Sequence, residues 1–294
     1  MEILCAGPVW KIVPRVFLKK RLGRALFRLC FTVTRCFFLP QYRAVLFPKR
    51  VPVSRVDHPL DRRIPFNPRW VKIYLDFVAF WLRIAGFLLA RCKENGTETV
   101  LGFIQSIERL YIFAAQLYRK NLSTTRRPRY RKGIRFFLIH MTDPHLMCIP
   151  SLHVMIVIRG YTALRQILSS MNDLENRAAE LELVKRQALN ITQAILYVKQ
   201  HSVNCVSAAM YAMSCFDPSL FPRKEAELFV EGLFSPGDGL PEGDAVAARD
   251  IPEIRGHIAA LYRRFVEEGK KAGHWTEPLL AFLSSLPRTG ERGH

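Results

Sequence analysis

Apolar residues come in long blocks with the repeat of helices, and prolines separate the blocks. From Arg15 to Phe38, Phe17, Leu22, Leu26, Phe27, Leu29, Phe31 and Phe37 alternate with Arg24, Arg28 and Arg35. That interleaving of cations and bulky apolar groups suits a helix lying in a membrane interface, and it equally suits a surface helix on the protein's own core. Six prolines between residues 40 and 68 preclude a long helix there and predict a connector. Val71 to Ala90 is apolar over the ~30 Å that a bilayer core spans, yet it carries Lys72, Asp76 and Arg83. Val100 to Tyr118 is similar, with Glu108 and Arg109 near its middle. Ionisable groups inside a span are costly and face a bundle interior or a polar cavity. The two blocks therefore read as a membrane-embedded bundle with a polar interior or as a buried helical core.

The remaining blocks extend the helical pattern. Phe136 to Ile158 is apolar but broken at Asp143-Pro144 and Pro150, so a loop interrupts it. A polar helical pattern over 166–187 precedes a second apolar block, Leu189 to Met213. After a Gly/Pro/acid stretch from Phe234 to Asp244, Ile251, Ile254, Ile258, Leu261 and Phe265 recur at helix spacing. The sequence has no internal repeat, no glycine-rich phosphate loop and no alternation of strand and helix patterns. The expected fold is an all-α helical bundle in three parts: a basic amphipathic arm and connector (1–66), a helical core (67–216), and a small helical C-terminal extension (217–294).

Charge changes this picture. The 294 residues carry a net charge of +19. Residues 217–294 hold 10 basic and 13 acidic residues, so the first 216 carry +22. A polyanionic partner is implied: nucleic acid, an anionic membrane surface, or a phosphate-bearing substrate. Nucleic acid fits poorly, because the cations alternate with bulky apolar groups instead of gathering on a polar face. A positively biased membrane protein explains the interleaving better, although a mean hydropathy of +0.04 is low for a multi-pass chain. The first twenty residues do not read as a secretory signal, since Lys19, Lys20 and Arg21 interrupt the apolar run. Seven cysteines without a CxxC pair argue against a disulfide scaffold or a zinc ribbon.

Three segments carry candidate phosphate chemistry. In the first, Lys120 is followed, after six intervening residues, by Arg127-Pro128, pairing a point charge with a planar fork for phosphoryl oxygens. The second is Met147-Cys-Ile-Pro-Ser-Leu-His-Val154. Pro150 favours an abrupt helix start there, which leaves outward backbone N–H groups at Ser151, Leu152 and His153, with His153 placed to protonate a leaving oxygen. The third is Tyr197-Val-Lys-Gln-His-Ser-Val-Asn-Cys205. It puts His201 in an apolar helix, where a neutral imidazole can attack phosphorus. His140, Asp143, His145, Cys148 and His153 also include good metal-ligand types, but their spacing matches no closed zinc pattern.

Together the three segments resemble the type-2 phosphatidic acid phosphatase family, whose helical fold is shared with the vanadium-dependent haloperoxidases. Lys120, Arg127 and Pro128 match its first element; Pro150, Ser151 and His153 match its Pro-Ser-x-His; Lys199-Gln200-His201 matches the Lys-Gln-His form of the third. The resemblance spans roughly residues 70–215 and implies a metal-independent phosphohydrolase, without cofactor, that passes through a phosphohistidine. His201 would be the nucleophile and His153 the general acid. Lys120, Arg127, Ser151 and the Leu152 N–H would hold phosphate oxygens, with Lys199 adding charge. The implied setting is a membrane, cytoplasmic or inner, with a multi-pass chain acting on a lipid phosphate. The chain departs from the family at one position: the aspartate that orients the nucleophilic histidine is replaced by Cys205, a poor acceptor. A non-catalytic member that binds lipid phosphates, or scaffolds in the membrane, is the alternative.

Overall fold

The computed structural model describes residues 9–47, 51–92, 95–128, 130, 133–235, 241, 243 and 245–289. Cys5, Arg129, Arg131, Lys132 and most of the Gly/Pro/acid stretch lie outside them. The molecule is mostly helical. α1 (Val9–Leu18) and α2 (Lys20–Val33) run into a π-helical turn, Thr34–Phe38, and on into α3 (Leu39–Leu46). The connector thus begins later than the prolines predict. Pro40 sits in the first turn of α3, and the Leu39 N–H bonds Thr34 O across the widened π turn, which accommodates the proline's missing donor.

Four buried residues of α2, Leu22, Ala25, Leu26 and Leu29, pack toward the interior, while Phe27 is 75% exposed and Phe31 60%. Both sequence readings of this helix therefore capture one of its faces. It docks on α6 (Gly96–Tyr118), where the buried Glu108 accepts hydrogen bonds from Arg28 Nε (2.8 Å) and Thr32 Oγ1 (3.0 Å). The mid-block acid thus has internal partners, as a buried carboxylate requires. α4 (Val71–Leu75) and α5 (Phe77–Arg91) form the other long apolar run, in which Arg83 pairs with Asp76 at 2.7 Å. Among the described residues, only the run Pro68–Arg91 is long and apolar enough to cross a membrane, and much of it is buried inside the molecule. The expectation of a multi-pass chain is corrected accordingly: the second block, Val100 to Tyr118, is spent on the molecule's own core.

The remaining helices are α7 (Ile134–Thr142), α8 (Leu152–Ser170), α9 (Ala178–Tyr197), α10 (Val203–Phe216), α11 (Arg223–Gly232), α12 (Ile251–Gly269) and α13 (Thr276–Ser284). α8 packs against α5 and α9, and α10 against α12. One hydrophobic cluster runs from Ile12 to Leu283. The helical pattern conceals a short parallel sheet, β1 (Val53–Arg55) beside β2 (Leu122–Thr124) with Val53 opposite Leu122. Arg288 bridges to Ser54 on one side, and Met147 bridges to Ser123 on the other. Ser123 also takes the Ile149 N–H on its hydroxyl at 2.8 Å. This sheet sets the site: β2 leads directly to Arg127, and the Met147 bridge leads directly to Ser151.

Candidate functional site

Ser151 is the N-cap residue of α8, so the helix does start abruptly beside Pro150, with the proline one residue ahead of the cap and not in the first turn. The Tyr118 hydroxyl holds the Pro150 carbonyl at 2.5 Å. His201 lies in the tight turn between α9 and α10, which corrects its expected position inside a helix. The turn is made by Lys199, whose φ of 56° is left-handed, and by the Gln200 and His201 N–H groups, which both bond Ile195 O. Ser202 then caps α10, accepting the Asn204 N–H at 3.3 Å.

These two helix starts bring the histidines together. The ring centroids of His153 and His201 are 5.5 Å apart, and Ser151 Oγ lies 3.4 Å from His201 Nε2. Sequence reasoning did not place His145 in this group, yet its ring is 6.1 Å from that of His201. His145 has a left-handed φ of 62°, its N–H bonds Asp143 Oδ1 at 2.9 Å, and its Nε2 is 2.8 Å from Thr125 Oγ1. Asp143 also carries Arg127, which donates to its carbonyl (3.0 Å) and its carboxylate (3.2 Å). Arg127 Nε is buried without a partner.

Burial dominates the electrostatics. It pushes the His153 pKa down to about 4, with the ring stacked 4.7 Å from Tyr74 and packed 4.4 Å from Phe77. His201 and His145 lie well below the ordinary histidine value, by burial first and then by their charged neighbours, Arg127 among them. All three imidazoles are neutral at pH 7. His201 Nδ1 makes no hydrogen bond of standard geometry, although the Cys148 main chain lies close enough to favour the charged ring a little.

The family's orienting acceptor is therefore missing in space as well as in sequence. Cys205 Sγ accepts the Ser202 N–H at 3.4 Å, with the Cys148 thiol beside it. Asn204 is turned away, bonded to His257 Nε2 at 2.8 Å and to Val56 O at 3.2 Å. The other two predicted cations point elsewhere. Lys120 Nζ reaches Thr276 Oγ1 at 3.4 Å, and Lys199 Nζ bonds the Asp61 and Ile64 carbonyls.

One side chain no motif could have indicated also joins the cluster. Gln41 is fully buried, accepts the Leu146 N–H at 2.8 Å and leaves Nε2 without a partner. It shares with His145, His153 and His201 a cavity of about 10 Å3, room for about one water. Next to it lies an apolar chamber of about 450 Å3, lined by residues of α2, α4 and α5 and ending at Asp143 and His153. Among the described residues no set of three His, Cys, Asp or Glu side chains converges as metal ligands.

Compared with family models, curated proteins and solved structures, the chain matches none of them. The likeness to the phosphatidic acid phosphatases therefore rests on the three motifs.

Proposed function

We propose that the protein is a membrane-associated lipid-phosphate phosphatase in which His201 is the nucleophile. The observation that carries this is the convergence of His153, His201 and Ser151, from segments fifty residues apart, beside Arg127. Neutral His201 Nε2 attacks phosphorus, the P–N bond forms as the ester P–O bond breaks, and His153 delivers a proton to the leaving alkoxide. Water then attacks the phosphohistidine, giving a proton to the now neutral His153, and the P–N bond breaks to release phosphate and neutral His201. His153 must carry a proton for the first step. A bound phosphate supplies the negative charge that raises its pKa from the low value of the empty pocket. Arg127, the α8 N-terminus and Gln41 Nε2 are the donors for the phosphoryl oxygens. The apolar chamber ending at His153 suits an acyl chain, and its end wall must open, because the space among the histidines holds no phosphate as it stands.

Two observations favour a second reading, a lipid-phosphate binder without turnover: the unpartnered His201 Nδ1 and the closed cavity. One series of assays separates the two. With short-chain phosphatidate, turnover blocked by orthovanadate and reduced on the order of a thousandfold by His201→Ala supports the enzyme. Cys205→Asp should raise turnover about tenfold or more by giving Nδ1 an acceptor. Absence of turnover in both the native chain and the Asp variant, with phosphatidate still bound, leaves only the binder.

A further inference from the structure

A second basic site lies on the other side of the π-helical turn. Phe37 and Gln41 face the histidine cavity, whereas Arg35, Leu39 and Arg43, each four residues from the next, line a separate cleft with Arg119. The cleft encloses about 630 Å3, within the range of small-ligand sites. Its other walls are apolar or aromatic, including Ala44, Val51, Tyr118 and Leu122. All three arginines are exposed, and none has a guanidinium hydrogen bond or ion pair among the described residues. Elsewhere Arg28, Arg83, Arg127, Arg159 and Arg165 each meet a carboxylate, whereas these three line one cleft without one. Three planar forks held around one cleft with no internal anion repel one another unless an external anion joins them.

The surroundings indicate what carries that anion. On α3, next to the cleft, Val45 is 57% and Leu46 71% exposed. Phe27 and Phe31 continue the exposed stripe along α2. Exposed apolar side chains beside a cationic cleft on one continuous helical run have the chemistry of an interfacial membrane helix. A free phosphate would use the arginines but leave those apolar groups in water. We propose that Arg35, Arg43 and Arg119 form a second anion site that takes the phosphate headgroup of an anionic lipid, while the exposed side chains of α2 and α3 enter the bilayer interface. The site is separate from the histidines and needs no turnover.

The test is flotation of the full chain with vesicles of phosphatidylcholine containing phosphatidylglycerol, or of phosphatidylcholine alone. Replacing Arg35, Arg43 and Arg119 together by Gln should lower partitioning onto the anionic vesicles on the order of 100-fold. Its thermal unfolding should match that of the native chain, since no internal contact is lost. A control removes the same charge elsewhere, through Arg186→Gln, Lys224→Gln and Arg249→Gln, all exposed positions, and should change partitioning less than threefold. Equal losses in the two variants would reduce the cleft to a share of the net charge and overturn the site. Tight arginine-dependent binding of soluble glycerol phosphate, with no vesicle preference, would make it a free-phosphate site and overturn the lipid assignment. Stronger arginine-dependent retention by single-stranded RNA than by vesicles would overturn it as well.

Discussion

The buried imidazoles tie stability to pH at the scale of single residues. His153 titrates at about 4 in the folded chain against an ordinary 6.5. The unfolded chain therefore binds a proton, as pH falls below 6.5, that the folded chain refuses. Stability is full above that value and is lost progressively down to about 4, at up to ~1.4 kcal/mol per pH unit for this one side chain. His145 and His201 are shifted in the same direction and steepen the slope. The upper part of the window, above about pH 5, lies above the range in which ordinary carboxylates protonate, so histidines dominate it there. Urea unfolding at pH 7.5, 6.5 and 5.5 should show a midpoint that is flat over the first interval and falls over the second. His153→Gln, which cannot charge, should flatten the fall. A slope unchanged in that variant would mean His153 is already protonated in the folded state. In the sequence His153 and His201 were joined only by the family resemblance, and His201 was expected inside a helix, because the left-handed turn at Lys199 that carries it ahead of α10 has no glycine or proline to mark it. Gln41 was not legible at all, since a lone glutamine in a proline-rich stretch carries no pattern. Nor was the direction of Lys120 and Lys199: spacing along a chain says which cations are present but not which carbonyl or hydroxyl captures them.

Packing decides the sign of a substitution at the scale of helices. Gly160 lies within α8 where that helix crosses α5, and a methyl group there would come 2.6 Å from Phe80 Cε1 and 3.0 Å from Ile84 Cδ1. Both neighbours are fully buried and have nowhere to go. Ala gains up to ~1 kcal/mol over Gly in helix propensity, whereas overpacking a core costs ~1–3 kcal/mol. Gly160→Ala should therefore destabilise by about 1 kcal/mol. Gly256 is the opposite case: it is exposed within α12, and a methyl there meets no atom within 4 Å. Gly256→Ala should stabilise by about 0.5–1 kcal/mol. Chemical denaturation of both variants tests the pair, and the same sign in both would contradict the crossing described for α5 and α8. The helices themselves were the most legible part of the fold, because helices such as α2 and α12 bury a stripe that repeats every three to four residues and α8 and α10 are apolar nearly all round. The three-residue strands were not, since so short a segment shows no alternation, and their pairing joins chain positions far apart.

The molecule as a whole joins a strongly basic body to a mildly acidic C-terminal quarter, a contrast that suggests two units. The contacts argue for one. Ser54 Oγ donates to Leu283 O at 2.9 Å, Arg55 N to Pro287 O at 2.8 Å, and Thr289 N to Val53 O at 2.9 Å, so the C-terminal residues extend the small sheet. Trp275 stacks on Phe113 at 4.1 Å and donates Nε1–H to Gln116 at 2.7 Å. Ser207 of α10 donates to Ile258 O of α12 at 3.0 Å, beside the bond between Asn204 and His257. Ending the chain after residue 216 would expose the α10 face that α12 covers and unpair one edge of β1, the sheet from which β2 leads to Arg127. A chain held this way should unfold in one cooperative step. Circular dichroism and tryptophan fluorescence should give coincident transitions in urea, Trp275 reporting on the C-terminal part and Trp70 and Trp81 on the body. A fluorescence change from Trp275 that precedes the loss of helix, assigned with Trp275→Phe, would mean that the C-terminal segment opens alone. The sheet would then owe its order to the body, and the site's geometry would not depend on residues beyond 216. Coincident transitions would instead tie the placement of Arg127 and Ser151 to a segment more than a hundred residues downstream that touches neither of them.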